Sequence, residues 1–194
     1  MSLKERVYSI LVVSAADNFN ASVAPLLSES YYSPVVYASN ISTAKRMVAE
    51  RSFDFIIINS PLPDDIGTRF AIDACTSKQT VVLFLVRNDL HNGIYDKVAE
   101  HGVFTLPKPT SKQTITTALR WMASARERLR SFEKKSLSIE KKKEEIRLVN
   151  RAKWLLISEL KMSEEDAHRY IEKQAMDSCT SKRSVAENII KTYS

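Results

Sequence analysis

Between Ser111 and about Leu160 the sequence contains neither proline nor glycine, and an uninterrupted stretch of that length predicts one long helix. Along it Ile115, Ala118, Met122, Ala125, Leu129, Phe132, Ser136, Ile139, Lys143 and Ile146 fall on alternating spacings of three and four. This is a heptad seam with polar interruptions at Ser136 and Lys143. The part from Ile115 to Met122 can serve as a core stripe beneath a preceding domain. A helix that projects well past such a domain needs another partner, most simply the same helix of a second copy. The seam therefore predicts a homodimer, with Leu129, Phe132, Ile139 and Ile146 as its contacts. A chain of 194 residues leaves room for one ordinary domain before this helix and a small one after it.

The residues before the helix alternate short β-branched or aromatic runs with amphipathic stretches. The runs are Tyr8 to Val13, Val35 to Tyr37, Phe55 to Ile58, Val81 to Val86 and Val103 to Leu106, all of strand length. Between two of them, Ser42 to Arg51 has helical spacing, with Ala44, Met47 and Val48 on one face. Five strands separated by helices predict a parallel, doubly wound α/β sheet whose site lies at the carboxyl ends of the strands. Asn59, directly after the third run, stands at such an end.

The net charge of +6 is unevenly placed. Lys and Arg number 12 against 11 Asp and Glu over residues 1–125, 11 against 5 over 126–153, and 6 against 7 over 154–194. All the excess therefore sits on the distal part of the long helix. Such a run is read as a solvated helical face or as the electrostatic footprint of a nucleic-acid binder, in which neutralised phosphates release counterions.

Past the long helix, Ser163 and Asp166 have the spacing of a capping box, and Met162 with Ala167 that of a hydrophobic staple, so a second helix opens there. Ala167, Tyr170, Ile171 and Ala175 form its expected buried face. Cys179 to Ser181 read as a turn and Ser184 to Tyr193 as a last helix with Val185, Ile189 and Ile190 inward. Helices this short do not stand alone in water. They are expected to pack on the long helix through Val149, Ala152, Leu156 and Leu160 as a three-helix unit. The expected domains are thus 1–120, a coiled-coil linker 121–145, and a helical domain 146–194.

The stretch Asp54 to Gly67, DFIIINSPLPDDIG, resembles the third strand and following loop of response-regulator receiver domains. In that family an aspartate ends the strand, a proline follows four residues later and a glycine eight residues later. Asn59, Pro63 and Gly67 fill those places. Leu106-Pro107-Lys108-Pro109 is similar to the family's lysine-proline turn after the fifth strand. The resemblance implies a flavodoxin-like receiver fold over residues 7 to about 120, with its signalling chemistry removed. The nucleophilic carboxylate is the amide of Asn59, which cannot attack phosphorus. The acidic pair that would hold Mg²⁺ maps onto Ser14 and Ala15, with Asp17 nearby at the wrong offset. The hydroxyl residue maps onto Val86 and the switch aromatic onto Thr105. Only Lys108 remains, and without a phosphoryl partner it reads as a surface lysine held by its turn. The expected pseudo-phosphoacceptor pocket is Asn59, Ser14, Ala15, Val86 and Lys108, in a domain that serves as a dimerisation or docking platform addressed by a regulatory protein or small ligand.

The carboxy-terminal residues resemble the ANTAR domain of bacterial transcription antitermination regulators. The resembling residues are Arg151-Ala152-Lys153, Leu156, Met162-Ser163-Glu164, Ala167, Tyr170-Ile171, Ala175-Met176, Lys182, Val185-Ala186 and Ile189-Ile190. Where many members carry glycine after Ala-Lys, this chain has Trp154. The resemblance implies binding to mRNA leaders that carry two small adjacent stem-loops, so that a terminator hairpin does not form. Arg151, Lys153, Lys173, Lys182 and Arg183 are the expected RNA contacts, the last two at a helix N-terminus where unpaired amides add positive charge. Tyr170 reads as a packed aromatic, and Trp154 as either a bundle-seam or an RNA-facing residue.

Two readings stand beside the antiterminator: a DNA-binding transcription factor whose three helices imitate a helix-turn-helix, and a protein-docking adaptor. An enzyme is the least favoured class, because no P-loop, GxGxxG, HExxH or GxSxG pattern is present. Cys75 and Cys179 have no ligand spacing, so no metal or cofactor is expected, and the first apolar run is too short for a signal peptide or membrane span. A cytoplasmic protein is the resulting expectation.

Overall fold

The computed structural model describes residues 6–76 and 79–193. They pack as two compact units, Met1–Ser131 and Phe132–Ser194. The elements in order are β1 (Tyr8–Val13), α1 (Asp17–Val23), β2 (Tyr32–Ala38), α2 (Ile41–Glu50), β3 (Phe55–Asn59), α3 (Thr68–Thr76), β4 (Val81–Arg87), α4 (Asn88–Val98), β5 (Phe104–Lys108), α5 (Lys112–Leu160), α6 (Glu164–Asp177) and α7 (Lys182–Tyr193).

In the first unit all strands are parallel, in the order β2-β1-β3-β4-β5. The doubly wound sheet expected from the alternating runs is what forms, and the strands differ from expectation only at their ends. Thus β2 begins at Tyr32 instead of Val35, and β5 extends to Lys108. Because side chains alternate along a strand, each central strand feeds two cores. Leu11, Val13, Ile56, Ile58, Val82 and Phe84 face α2, α3 and α4, whereas Ile10, Val12, Phe55, Ile57, Leu83 and Leu85 face α1 and the start of α5. Both faces are covered, so β3 and β4 are apolar almost throughout instead of alternating with polar residues. In this order the chain reverses direction between β1 and β3, which opens the crevice at the carboxyl ends of those two strands.

The glycine of the loop after β3 is required by its backbone. Gly67 has φ +94°, and a Cβ there would stand 3.2 Å from Cγ2 of Ile58. The two acids of that loop serve local structure. The Asp64 carboxylate accepts the N–H groups of Ile41 and Ser42, each at 2.9 Å, at the amino end of α2, where Asn40 caps the N–H of Thr43. These donors hold the Asp64 carboxyl below its ordinary pKa.

An ionic cluster fixes α5 against the sheet. Asp54, just before β3, accepts Arg126 Nε and an Arg130 guanidinium nitrogen, both at 2.8 Å on Oδ1, while its Oδ2 accepts the N–H of Ser9 at 3.0 Å. Glu127 accepts Arg130 at 2.9 Å and the Tyr8 hydroxyl at 3.1 Å, and pairs with Arg6. The Arg130 guanidinium also lies over the Tyr8 ring, 5.4 Å from its centroid. By sequence Arg126 and Arg130 belong to the basic excess expected on a solvated helical face. Instead they are turned inward, with Arg126 only 6% exposed, because their positions continue the buried stripe of Leu119 and Met122.

In the second unit the carboxy-terminal part of α5 packs with α6 and α7. Ala152, Leu156, Ala167, Ile171, Ala175, Val185, Ala186 and Ile189 are its core, and Ala152, Ala167 and Ala186, fully buried, let the helices approach closely. The expected cap is present: Ser163 Oγ accepts the N–H of Asp166 at 3.1 Å and donates to its carboxylate at 2.7 Å. α6 ends in a Schellman turn, with the N–H of Thr180 bonded to the Ala175 carbonyl and that of Cys179 to the Met176 carbonyl, Cys179 taking the left-handed conformation at φ 48°. α7 begins two residues earlier than expected, with Ser181 Oγ accepting the N–H of Ser184. Two core assignments need correction. Tyr170 is 38% exposed and Leu160 is 42% exposed, since Tyr170 lies one position before the inward stripe and Leu160 ends its helix beyond the bundle.

Candidate functional sites

The crevice between β1 and β3 brings together Ser14, Asn59 and Lys108, separated in sequence by 45 and 49 residues. Ser14 and Asn59 are buried at 3% and 5% exposure. Lys108 Nζ donates to Asn59 Oδ1 at 2.8 Å, and Asn59 Nδ2 donates to Ser14 Oγ at 3.0 Å. A lysine has donors only, so the Asn59 oxygen must face it and the NH₂ is left for Ser14. This corrects the reading of Lys108 as a surface lysine: it is half-buried, desolvation lowers its pKa, and its ammonium is held by the amide. An amide meets only part of that charge. Ala15 is exposed and Val86 is buried in the sheet core, so neither contributes a polar atom to the crevice. Asp17 is exposed in the first turn of α1. One hydroxyl already accepting hydrogen bonds and one amide do not make the carboxylate cage that a divalent cation requires, so these residues do not fit Mg²⁺. Thr105 bonds to His91 of α4 at 3.0 Å, a contact that sequence spacing did not reveal.

In the second unit, a cleft of about 340 Å³ is lined by Lys142, Glu145, Ile146, Val149 and Asn150 together with Lys153, His168 and Lys182. Of the expected RNA contacts, the fold gathers Lys153 and Lys182 on this cleft. Arg151 and Lys173 are exposed elsewhere, as is Arg183. Lys142 and His168 were not singled out from sequence; Lys142 belonged to the basic run, but only the packing of α6 on α5 tells which face of that run borders a cleft. Several cations are paired. Lys153 Nζ donates to Glu164 at 2.9 Å, Lys182 Nζ to Glu172 at 2.5 Å, and Arg183 Nε to Glu187 at 2.8 Å. The hydrogen bond from Lys153 and its charge hold the Glu164 carboxyl low, and Lys182 does the same for Glu172, aided by His168. These carboxylates are open to water, where such pairs contribute little and exchange readily for another anion.

Along α5, Phe132, Ile139 and Ile146 are exposed by 56%, 54% and 60%. Leu129 is half-buried against the core of the first unit, because the helix still covers the sheet there. Among the described residues no helix is long and apolar enough to cross a membrane.

The fold and the two sites can be set beside known proteins. Residues 138–190 match the model of the ANTAR domain. The chain is 26% identical over 174 residues to the transcriptional regulatory protein PdtaR of Mycobacterium tuberculosis, covering 88% of this chain and 83% of that protein. Its first unit resembles the signal receiver domain of an HD domain-containing protein from Pseudomonas fluorescens, with a TM-score of 0.56 and 23% identity over 69% of this chain and 96% of that one. The non-phosphorylated HemR receiver domain from Leptospira biflexa matches with a TM-score of 0.53 and 24% identity, over 60% of this chain and 94% of that one. Residues 138–190 thus match an ANTAR domain, and a domain with the receiver fold precedes them.

Proposed function

We propose that the protein is a cytoplasmic, non-enzymatic antitermination regulator that binds stem-loops in mRNA leaders as a dimer. The observation that carries this reading is the ANTAR match over residues 138–190, whose first part, 138–153, overlaps the carboxy-terminal half of the basic segment. In this reading residues 1–120 are a pseudo-receiver, 121–145 a coiled-coil linker and 146–194 the RNA-binding domain. Lys153 and Lys182, with Arg151, Lys173 and Arg183 around them, hold phosphates, while unpaired loop bases are read by stacking and edge hydrogen bonds. Phe132, Ile139 and Ile146 meet the same residues of a second copy, which places two RNA-binding domains on one leader.

A DNA-binding factor is less well supported. Val185, Ala186 and Ile189 of α7 are buried, and Arg183 on its open side is engaged by Glu187, which leaves few side chains to read a major groove. The test is to incubate the purified protein with total RNA of its source organism and sequence what is retained. Enrichment of leader segments bearing two small adjacent stem-loops is expected. Retention proportional to RNA abundance, without common secondary structure, would contradict the reading.

The receiver-like domain is proposed to work without a phosphoaspartate, its input being a regulatory protein or small ligand. Asn59 has no carboxylate to form an acyl phosphate, and its oxygen is engaged by Lys108. Treatment with acetyl phosphate and Mg²⁺ should therefore leave the intact mass unchanged. A stable gain of one phosphate on the first unit would overturn this part of the account.

A further inference from the structure

Trp154 is the most exposed aromatic side chain among the described residues, at 71%. An indole buries a large apolar area when it packs, so a tryptophan left this open forgoes stabilisation that the bundle could have used. Its surroundings are specific. A second cleft, of about 260 Å³, is lined by Asn150, Lys153, Trp154, Ile157 and Glu164. Asn150 and Lys153 also line the larger cleft that holds Lys142 and Lys182. The two clefts thus share Asn150 and Lys153, with the indole lining one and Lys142, Lys182 and Glu145 lining the other.

We propose that Trp154 is a stacking platform for an unpaired nucleobase of the bound RNA, a role that rests on the RNA-binding reading above. Asn150 offers the base edge both a donor and an acceptor, and Lys153 holds the adjoining phosphate. Two properties meet here that few other ligands satisfy together: a flat apolar face for a π system, and positive charge beside it for a polyanion. A paired base within a stem cannot reach the ring, because its faces are already stacked, so the subsite selects loops and bulges. Glu164 completes the device. In the free protein it holds Lys153 at 2.9 Å while itself 77% exposed in its side chain, so a phosphate arriving with a stacked base displaces it, whereas a phosphate alone competes against a pair already formed.

The chain has two tryptophans, so a Trp121→Phe variant of the full-length protein reports Trp154 alone. The probe is a stem-loop RNA pool with a randomised unpaired loop, compared with the same stem as a blunt RNA duplex. The stem-loops should quench Trp154 emission and the blunt duplex should not. In the otherwise wild-type chain, Trp154→Ala should weaken stem-loop binding about tenfold and Trp154→Phe by less, the value of one base–aromatic stack. Stem-loop binding with unchanged Trp154 emission and equal affinity of Trp154→Ala would overturn the stacking role while leaving RNA binding intact. Failure of the wild-type chain to bind any stem-loop would overturn both. Emission that changes on protein dilution without RNA, and not on adding RNA, would place the indole against a second copy and overturn the proposal.

Discussion

Asp54→Ala is expected to destabilise the first unit by about 3 kcal/mol, the lower end of what removing one partner from a buried ion pair costs. The loss is large because the Asp54 side chain is 14% exposed and that of Arg126 only 7%, so the guanidinium stays in a place arranged for a carboxylate. Arg130 loses the same oxygen. Hydrogen exchange of the β1 and β3 amides reads this unit separately from the other, and should quicken by about a hundredfold. Combining Asp54→Ala with Arg126→Met removes both charges and should recover much of the loss. Burial raises the Asp54 pKa, but the hydrogen bonds from Arg126 and Ser9 and the charge of Arg130 outweigh it and hold the carboxyl below its ordinary 3.8. A depressed carboxyl contributes stability that is present above the unfolded pKa and lost as pH falls through the folded one. The stability difference between the wild type and Asp54→Ala should therefore begin to shrink near pH 3.8 and close only once pH has fallen through the depressed folded-state pKa, and a difference that did not shrink as pH fell would contradict the ionic account.

Leu156→Ala should have the larger consequence for function. Leu156 is fully buried at the centre of the three-helix core, and truncation of such a leucine costs about 2–5 kcal/mol. A unit as small as Phe132–Ser194 commands only about 3–5 kcal/mol in all. α6 and α7 should therefore lose amide protection almost completely, and RNA binding with it, while the sheet amides stay protected. Tyr170→Ala, on the same bundle but exposed, should shift stability by less than about 1 kcal/mol. Equal losses from the two substitutions would mean that the bundle packs differently.

These two experiments also mark where the sequence stopped being informative. The strands were legible because a sheet covered on both sides turns each central strand into an unbroken apolar run, and the long helix because nothing interrupts it. Asn59 and Lys108 could be placed by resemblance, yet their hydrogen bond could not, since it depends on strand order bringing the ends of β3 and β5 to one edge. Arg126 carried a readable sign: it continues the stripe of Leu119 and Met122, and a charge on a buried stripe demands a counter-charge. The counter-charge, Asp54, lies 72 residues earlier and was visible only as the start of a strand. In the second unit, periodicity put Tyr170 on the buried face although it sits at the edge of the stripe, where one position of helix rotation decides between core and water. Which lysines of the basic run share a cleft was decided by the packing of α6 and α7, which no local spacing encodes.

A stem-loop-binding regulator requires that the second unit prefer folded RNA to nucleic acid in general. The direct measurement is a mobility-shift titration of the full-length, unphosphorylated protein against an RNA carrying two adjacent small stem-loops and against duplex DNA of equal length, each at low and at physiological salt. The RNA should be bound more tightly, and the preference should persist as salt rises, because stacking and edge contacts do not depend on counterion release. Equal affinity for both, falling steeply together with salt, would reduce the site to a polyelectrolyte surface and contradict the claim.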